Sequence, residues 1–234
     1  MSRRTAIAIG VIALVAASGG DPAGAAPASP VRNARIVETP APRPLVPEAT
    51  RAAVSWATSL PAVDVRMRNT GAQAKIRLYA DDGALDPAAA RSFMKVAASV
   101  KDADEPLPHR LVQLVFRASY HFGGKPVVII SATRKGSHGK HGSGEAIDFQ
   151  LEGVRAGTLA AWLRTLPRAG VGIYTNPRTQ YVHLDVRDHS YHWIDASPPG
   201  VTWREKLLRD PKQAKRDASY DANGDLPEAA AQIR

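Results

Sequence analysis

The chain has 234 residues and no cysteine, which excludes both a disulfide framework and a lipid-modified cysteine anchor. Its formal net charge of +9 suits an anionic partner: nucleic acid, an anionic membrane or an anionic wall polymer. The basic residues are scattered and no nucleic-acid motif accompanies them, so nucleic acid is set aside and the wall polymer preferred.

Residues 1–25 read as a secretory signal peptide. Arg3 and Arg4 form the basic start, Ala6 to Ala17 the apolar run, and Ala23-Gly24-Ala25 a small-residue cleavage site. The run is too short for an ordinary membrane span, so no stable span is expected after cleavage; an uncleaved anchor is the alternative. Residues 26–50 are rich in Pro and Ala and predict an extended, solvated tether.

A folded domain is expected over residues 51–205. Val63, Val65 and Met67 alternate with polar residues, Asn69-Thr70-Gly71 turns the chain, and Ile76 and Leu78 resume the alternation, as in a β-hairpin. Asp86-Pro87 predicts a helix N-cap with proline at the first helical position, and Ala90, Phe93, Met94 and Ala97 give that helix an apolar face. A second helix follows Pro108, with Leu111, Leu114, Val115 and Ala118 at helical spacing and Gly123-Gly124 at its end. Pro126 to Ile130 is a continuous run that predicts a buried strand delivering Thr133 and Arg134 to its C-terminal end. Leu159, Trp162, Leu163 and Leu166 mark a third helix, followed by a short strand at Gly172 to Thr175. The expected fold is therefore α+β, a mostly antiparallel sheet with packed helices. From Val201 the chain is polar and charged. Trp203 and Leu207 suit a short docked helix, and residues 206–234 read as a polar, disordered tail. Asp221, Asn223 and Asp225 open like a calcium loop, but Leu226 and Gln232 stand where that loop needs Gly and Glu.

Two stretches carry the chemistry: Ser137 to Phe149, SHGKHGSGEAIDF, and Tyr181 to Val186, YVHLDV. His141 and Asp148 are seven residues apart, an odd spacing that puts them on opposite faces of a straight strand. Gly142 and Gly144 let the backbone turn, so His141 can sit on a loop and Asp148 on the strand Glu145 to Leu151. In a second strand His183 and Asp185 share one face, while Val182, Leu184 and Val186 point to a core. Without cysteine, imidazole and carboxylate are the ligands zinc prefers, and three protein ligands leave a fourth position for water. His141, Asp148 and His183 are the expected metal ligands. Asp185 suits either of two roles, general base or a partner that orients a ligand imidazole. A G-x-S-x-G serine elbow is excluded at Ser143, because position 141 is His.

The same residues carry a resemblance. His141, Gly144, Ala146 and Asp148 spell H-x-x-G-x-A-x-D, and Val182, His183 and Asp185 spell V-H-x-D. Together they resemble the M15-type zinc peptidases, in particular the periplasmic branch known as domain-of-unknown-function family 882, which includes murein LD-endopeptidases. Ser131 to Arg134, Gly170 to Tyr174 and the aromatic stretch Tyr191 to Asp195 extend the likeness, which covers residues 63–200. The resemblance implies an M15/hedgehog-like zinc peptidase domain, Zn2+ on His141, Asp148 and His183, a periplasmic location, and peptidoglycan peptides as substrate. It implies a substrate contact for Arg134. Gln180 stands where better-studied members carry an acidic base, and Gly139 where many carry Ser. His138, three residues before His141, is expected to line the cleft or to donate to the developing oxyanion. The expected function is zinc-dependent hydrolysis of peptide bonds in peptidoglycan, with an inactive zinc-containing wall-peptide-binding module as the alternative.

Overall fold

The computed structural model describes residues 55–98, 106–199, 201 and 205–231; the signal and tether expected over residues 1–50, and Trp203, lie outside the described residues. Among the described residues no helix is long and apolar enough to cross a membrane. The architecture is α+β: one open, mostly antiparallel sheet and six α-helices.

Helix α1 (Ser55–Ser59) precedes the hairpin of β1 (Val63–Met67) and β2 (Gln73–Ile76), which pair antiparallel as the alternation predicts. Helix α2 (Pro87–Ala97) starts where Asp86 caps it, the carboxylate accepting from the Ala88 amide at 2.7 Å with Pro87 as first residue. Helix α3 (His109–His121) buries Leu111, Leu114, Val115 and Ala118, the residues whose spacing predicts it. Strands β3 (Val127–Ser131) and β4 (Ala146–Leu151) flank the glycine-rich loop. Helix α4 (Ala156–Leu163) leads to β5 (Ala169–Tyr174), β6 (Val182–Val186), β7 (Tyr191–Asp195) and the two-residue β8 (Lys206–Leu207).

The strand order is β2-β1-β3-β4-β6-β5-β7-β8. Every neighbouring pair is antiparallel except β1 with β3 and β5 with β7. Strand side chains alternate, so each cross-strand row belongs to one face. One row runs Ile147, Leu184, Val171, His192 across β4, β6, β5 and β7. This face takes the helices: α2 packs on β1 and β2, α3 on β4 and β6, and α4 on β5 and β6. Phe93, Phe116, Leu111, Leu114, Leu159 and Leu163 fill the layer between, all essentially inaccessible to water. The next row, on the opposite face, runs Ser131, Asp148, His183, Gly172, Trp193 across β3, β4, β6, β5 and β7. That face carries the site.

The chain after residue 205 departs from expectation: residues 206–231 are folded onto the domain rather than disordered. Leu207 is half exposed and pairs with Trp193 in β8 instead of docking a helix. Helices α5 (Gln213–Ala218) and α6 (Glu228–Ala231) flank a 3₁₀ turn at Ala222–Asp225. Two buried acids anchor them. Asp217 accepts from the Ser190 amide and hydroxyl at 2.7 and 2.6 Å and from the Arg168 amide at 2.7 Å. Asp225 takes the Arg110 guanidinium at 2.8 and 3.3 Å and the Tyr220 hydroxyl at 2.7 Å. Composition alone makes these acids look solvated; their partners other than Tyr220 lie far away in sequence, where local pattern carries no signal.

Candidate metal centre

His141 comes from the loop between β3 and β4, Asp148 from β4 and His183 from β6. The loop folds back on itself, with the Arg134 amide donating to the His141 carbonyl at 2.9 Å and the Glu145 amide to the Lys140 carbonyl at 2.8 Å. At position 142 a Cβ lies 1.9 Å from the Ser137 carbonyl oxygen, so only glycine permits this tight return. Asp148 and His183 are direct cross-strand partners, which sets their side chains side by side.

The three side chains meet. His141 Nε2 lies 3.1 Å from His183 Nδ1 and 3.2 Å from Asp148 Oδ1, and His183 Nδ1 lies 3.1 Å from the same oxygen. All three residues are buried, and the group can hold one metal ion. The nitrogen of each imidazole that faces away from this triangle has its own partner. His141 Nδ1 donates to the Ala132 carbonyl at 2.6 Å, and His183 Nε2 to Asp185 Oδ2 at 3.0 Å. These bonds fix which nitrogen of each ring keeps its proton, so that the neutral imidazoles direct lone pairs at a shared point, as ligating imidazoles require.

The other expected site residues occupy defined places. Asp185 is inaccessible to water and sits behind His183, with the imidazole between it and the donor triangle; Arg187 grips it through Nε at 2.5 Å and through Nη2. The bond to His183 Nε2 is that of an orienting partner, and Asp185 also lines the cleft. Arg134 donates from Nε to the Ser131 hydroxyl at 2.7 Å and from Nη2 to Asp148 Oδ2, so it steadies the carboxylate by the oxygen outside the triangle. Its side chain is nonetheless 47% exposed. His138 is exposed on the loop and lines the cleft. Gln180 has its amide donated to the Thr175 and Asn176 carbonyls at 2.9 and 3.3 Å, holding the turn before β6.

Electrostatics bind the group together. Burial opposes ionisation of Asp148, yet the two imidazoles outweigh it and hold its carboxyl well below the usual range. Burial likewise opposes the charged form of His183, but Asp148 and Asp185 override it and raise the imidazole to about 9. Asp185 is pulled down in turn by His183 and Arg187 against the effect of burial.

Above the triangle opens a cleft of about 330 Å³, walled by His138, Tyr174, Tyr191, Trp193, Arg187 and Glu205. Trp193 is the cleft wall beside His183, ring centroids 5.6 Å apart, with Tyr174 edge-on at 5.1 Å. The glycines of β5 make this row possible: a Cβ at Gly172 falls 2.1 Å from the Trp193 ring, and one at Gly170 falls 2.2 Å from the Asp185 carboxylate. Tyr191, Arg187 and Glu205 also line the cleft, and the metal-ligand pattern does not single them out. Reading Tyr191 to Asp195 as a strand gives the missing signal for Tyr191, since it then shares the Trp193 face; nothing local marks Glu205.

No family model matches the chain, and no curated protein or solved structure matches it.

Proposed function

We propose that the chain is an exported, periplasmic zinc peptidase of the M15/hedgehog-like type, hydrolysing peptide bonds in bacterial peptidoglycan as a murein endopeptidase or carboxypeptidase. The donor triangle, with edges of 3.1–3.2 Å and with His141 and His183 lining the cleft, carries this reading. A tetrahedral zinc ion with bonds of about 2.0–2.1 Å sets its ligands about 3.3–3.4 Å apart, so these donors need shift by only about 0.2 Å. When bound, zinc acidifies a coordinated water and polarises a carbonyl.

The chain's own residues supply the rest. Asp185 and the Ala132 carbonyl hold the two imidazoles in register. Arg134 restrains Asp148 and offers its exposed end to a peptide carboxylate. His138 stands on the cleft lining as a donor to developing negative charge. Trp193 and Tyr174 present flat walls to an extended peptide.

One observation favours the second reading, a metal-containing module that binds wall peptides without turnover: Gln180 is not an acid, and its amide is turned to the Thr175 and Asn176 carbonyls. Purified protein incubated with muropeptides separates the two. Cleavage that a chelator abolishes and zinc restores supports the peptidase, and the products identify the bond. Intact muropeptides retained by zinc-loaded protein support the binding module.

A further inference from the structure

Hydrolysis by an activated water needs a group that takes a proton from the water and returns one to the leaving nitrogen. The carboxylates nearest the donor triangle are already engaged. Asp148 is itself a donor, and Asp185 is inaccessible to water, bonded to His183 and gripped by Arg187. Of the two acids on the cleft wall, Asp185 and Glu205, only Glu205 is not bonded to a member of the triangle. Its Oε1 accepts from the Tyr191 hydroxyl at 2.5 Å, and its Oε2 has no partner among the described residues. Tyr191 is itself fixed. It stands two residues before Trp193 on the same face of β7, opposite Gly170, and its ring lies 5.3 Å from the Arg187 guanidinium. Glu205, the residue immediately before β8, thus brings a carboxylate to the wall of the cleft that His141 and His183 also line.

We infer that Glu205 is the general base of this site, a catalytic residue contributed by the C-terminal segment and positioned by Tyr191; the inference rests on the hydrolase reading above. As the water oxygen bonds to the scissile carbonyl carbon, one O–H bond of the water breaks and its proton passes to Glu205 Oε2. When the C–N bond breaks, that proton goes to the nitrogen, which leaves as an amine. The hydroxyl remains in the new carboxyl group and Glu205 is again ionised. Glu205 supplies what Gln180 cannot, from a different part of the chain.

The test compares full-length wild type, E205Q, Y191F and, as a remote control, E228Q, each loaded with cobalt(II) and with zinc. Cobalt reports on its solvent ligand through the pH dependence of its visible absorption, independently of turnover. The expected result is one metal per chain in all four proteins. In E205Q the spectroscopic midpoint moves by about one pH unit and kcat on muropeptides falls at least about 100-fold with KM little changed. Y191F shows smaller changes in the same direction, and E228Q matches wild type. An unmoved midpoint in E205Q overturns the inference whatever the activity, as does E205Q turnover within about threefold of wild type. A wild type that cleaves no muropeptide, with the E205Q midpoint still displaced, counts against the peptidase reading and for Glu205 beside the solvent position.

Discussion

Four of the five buried aspartates among the described residues fall into two pairs, and the pairs do opposite things. Asp148 and Asp185 lie on the open face of the sheet; Asp217 and Asp225 lie under the C-terminal helices, and all four are 5% exposed or less. Asp217 is saturated by two backbone amides and a hydroxyl, and Asp225 by a guanidinium and a phenol. None of those partners exchanges a proton near neutrality. Asp148 is instead surrounded by two imidazoles, whose nitrogens can give up a proton and take a metal in its place. Burial of an acid therefore does not define a site; the titration chemistry of its partners does.

Four variants or conditions break this contrast or sharpen it. The largest effect is expected for D148A: metal content falls from about one equivalent to below about 0.1, and muropeptide cleavage falls with it, as measured by elemental analysis and chromatography. D217A should do the reverse. It orphans the Arg168 amide and the Ser190 amide and hydroxyl, and should cost about 3 kcal/mol in denaturant unfolding while metal stoichiometry stays at wild-type level. D185N keeps a side chain behind His183 but weakens the bond that orients it, and should lower metal affinity about 10–100-fold in a chelator competition without lowering the metal capacity.

The smallest effect is in pH. The metal-free His183 imidazole is raised to about 9, so its proton stabilises the fold fully below the unfolded value of about 6.5. That contribution is lost as pH rises through 9. A metal must displace this proton, so calorimetry at pH 7 in buffers of different ionisation enthalpy should show about one proton released per metal bound. Affinity should climb with pH toward 9 and then level. The Asp217 carboxyl is held below the usual range by the Arg168 and Ser190 donors, which outweigh burial, so its stabilisation is present at neutral pH and lost only in acid.

The donor set was legible in the sequence because each of its pieces is local. The glycines around His141 announce a turn, the alternation in YVHLDV puts His183 opposite the apolar residues, and EAIDF places Asp148 on a strand. The cap at Asp86-Pro87 and the hairpin at Gly71 are legible for the same reason. What stayed hidden is what depends on partners distant in sequence. Asp217 and Asp225 resemble solvated charges until Arg168, Ser190 and Arg110 are brought to them. The parallel pairings of β1 with β3 and β5 with β7 leave no mark on either strand's own pattern. Strand alternation does not tell which nitrogen of the His183 ring Asp185 touches, and Glu205 lies in a polar stretch with no motif.

X-ray absorption spectroscopy of the purified, metal-loaded protein tests the central claim most directly. The account predicts one zinc per chain with two imidazole nitrogens, one carboxylate oxygen and one solvent oxygen at about 2.0–2.1 Å, and loss of one imidazole signal in H141A and in H183A. A protein that binds no metal, or whose metal environment is unchanged in H141A and H183A, contradicts it.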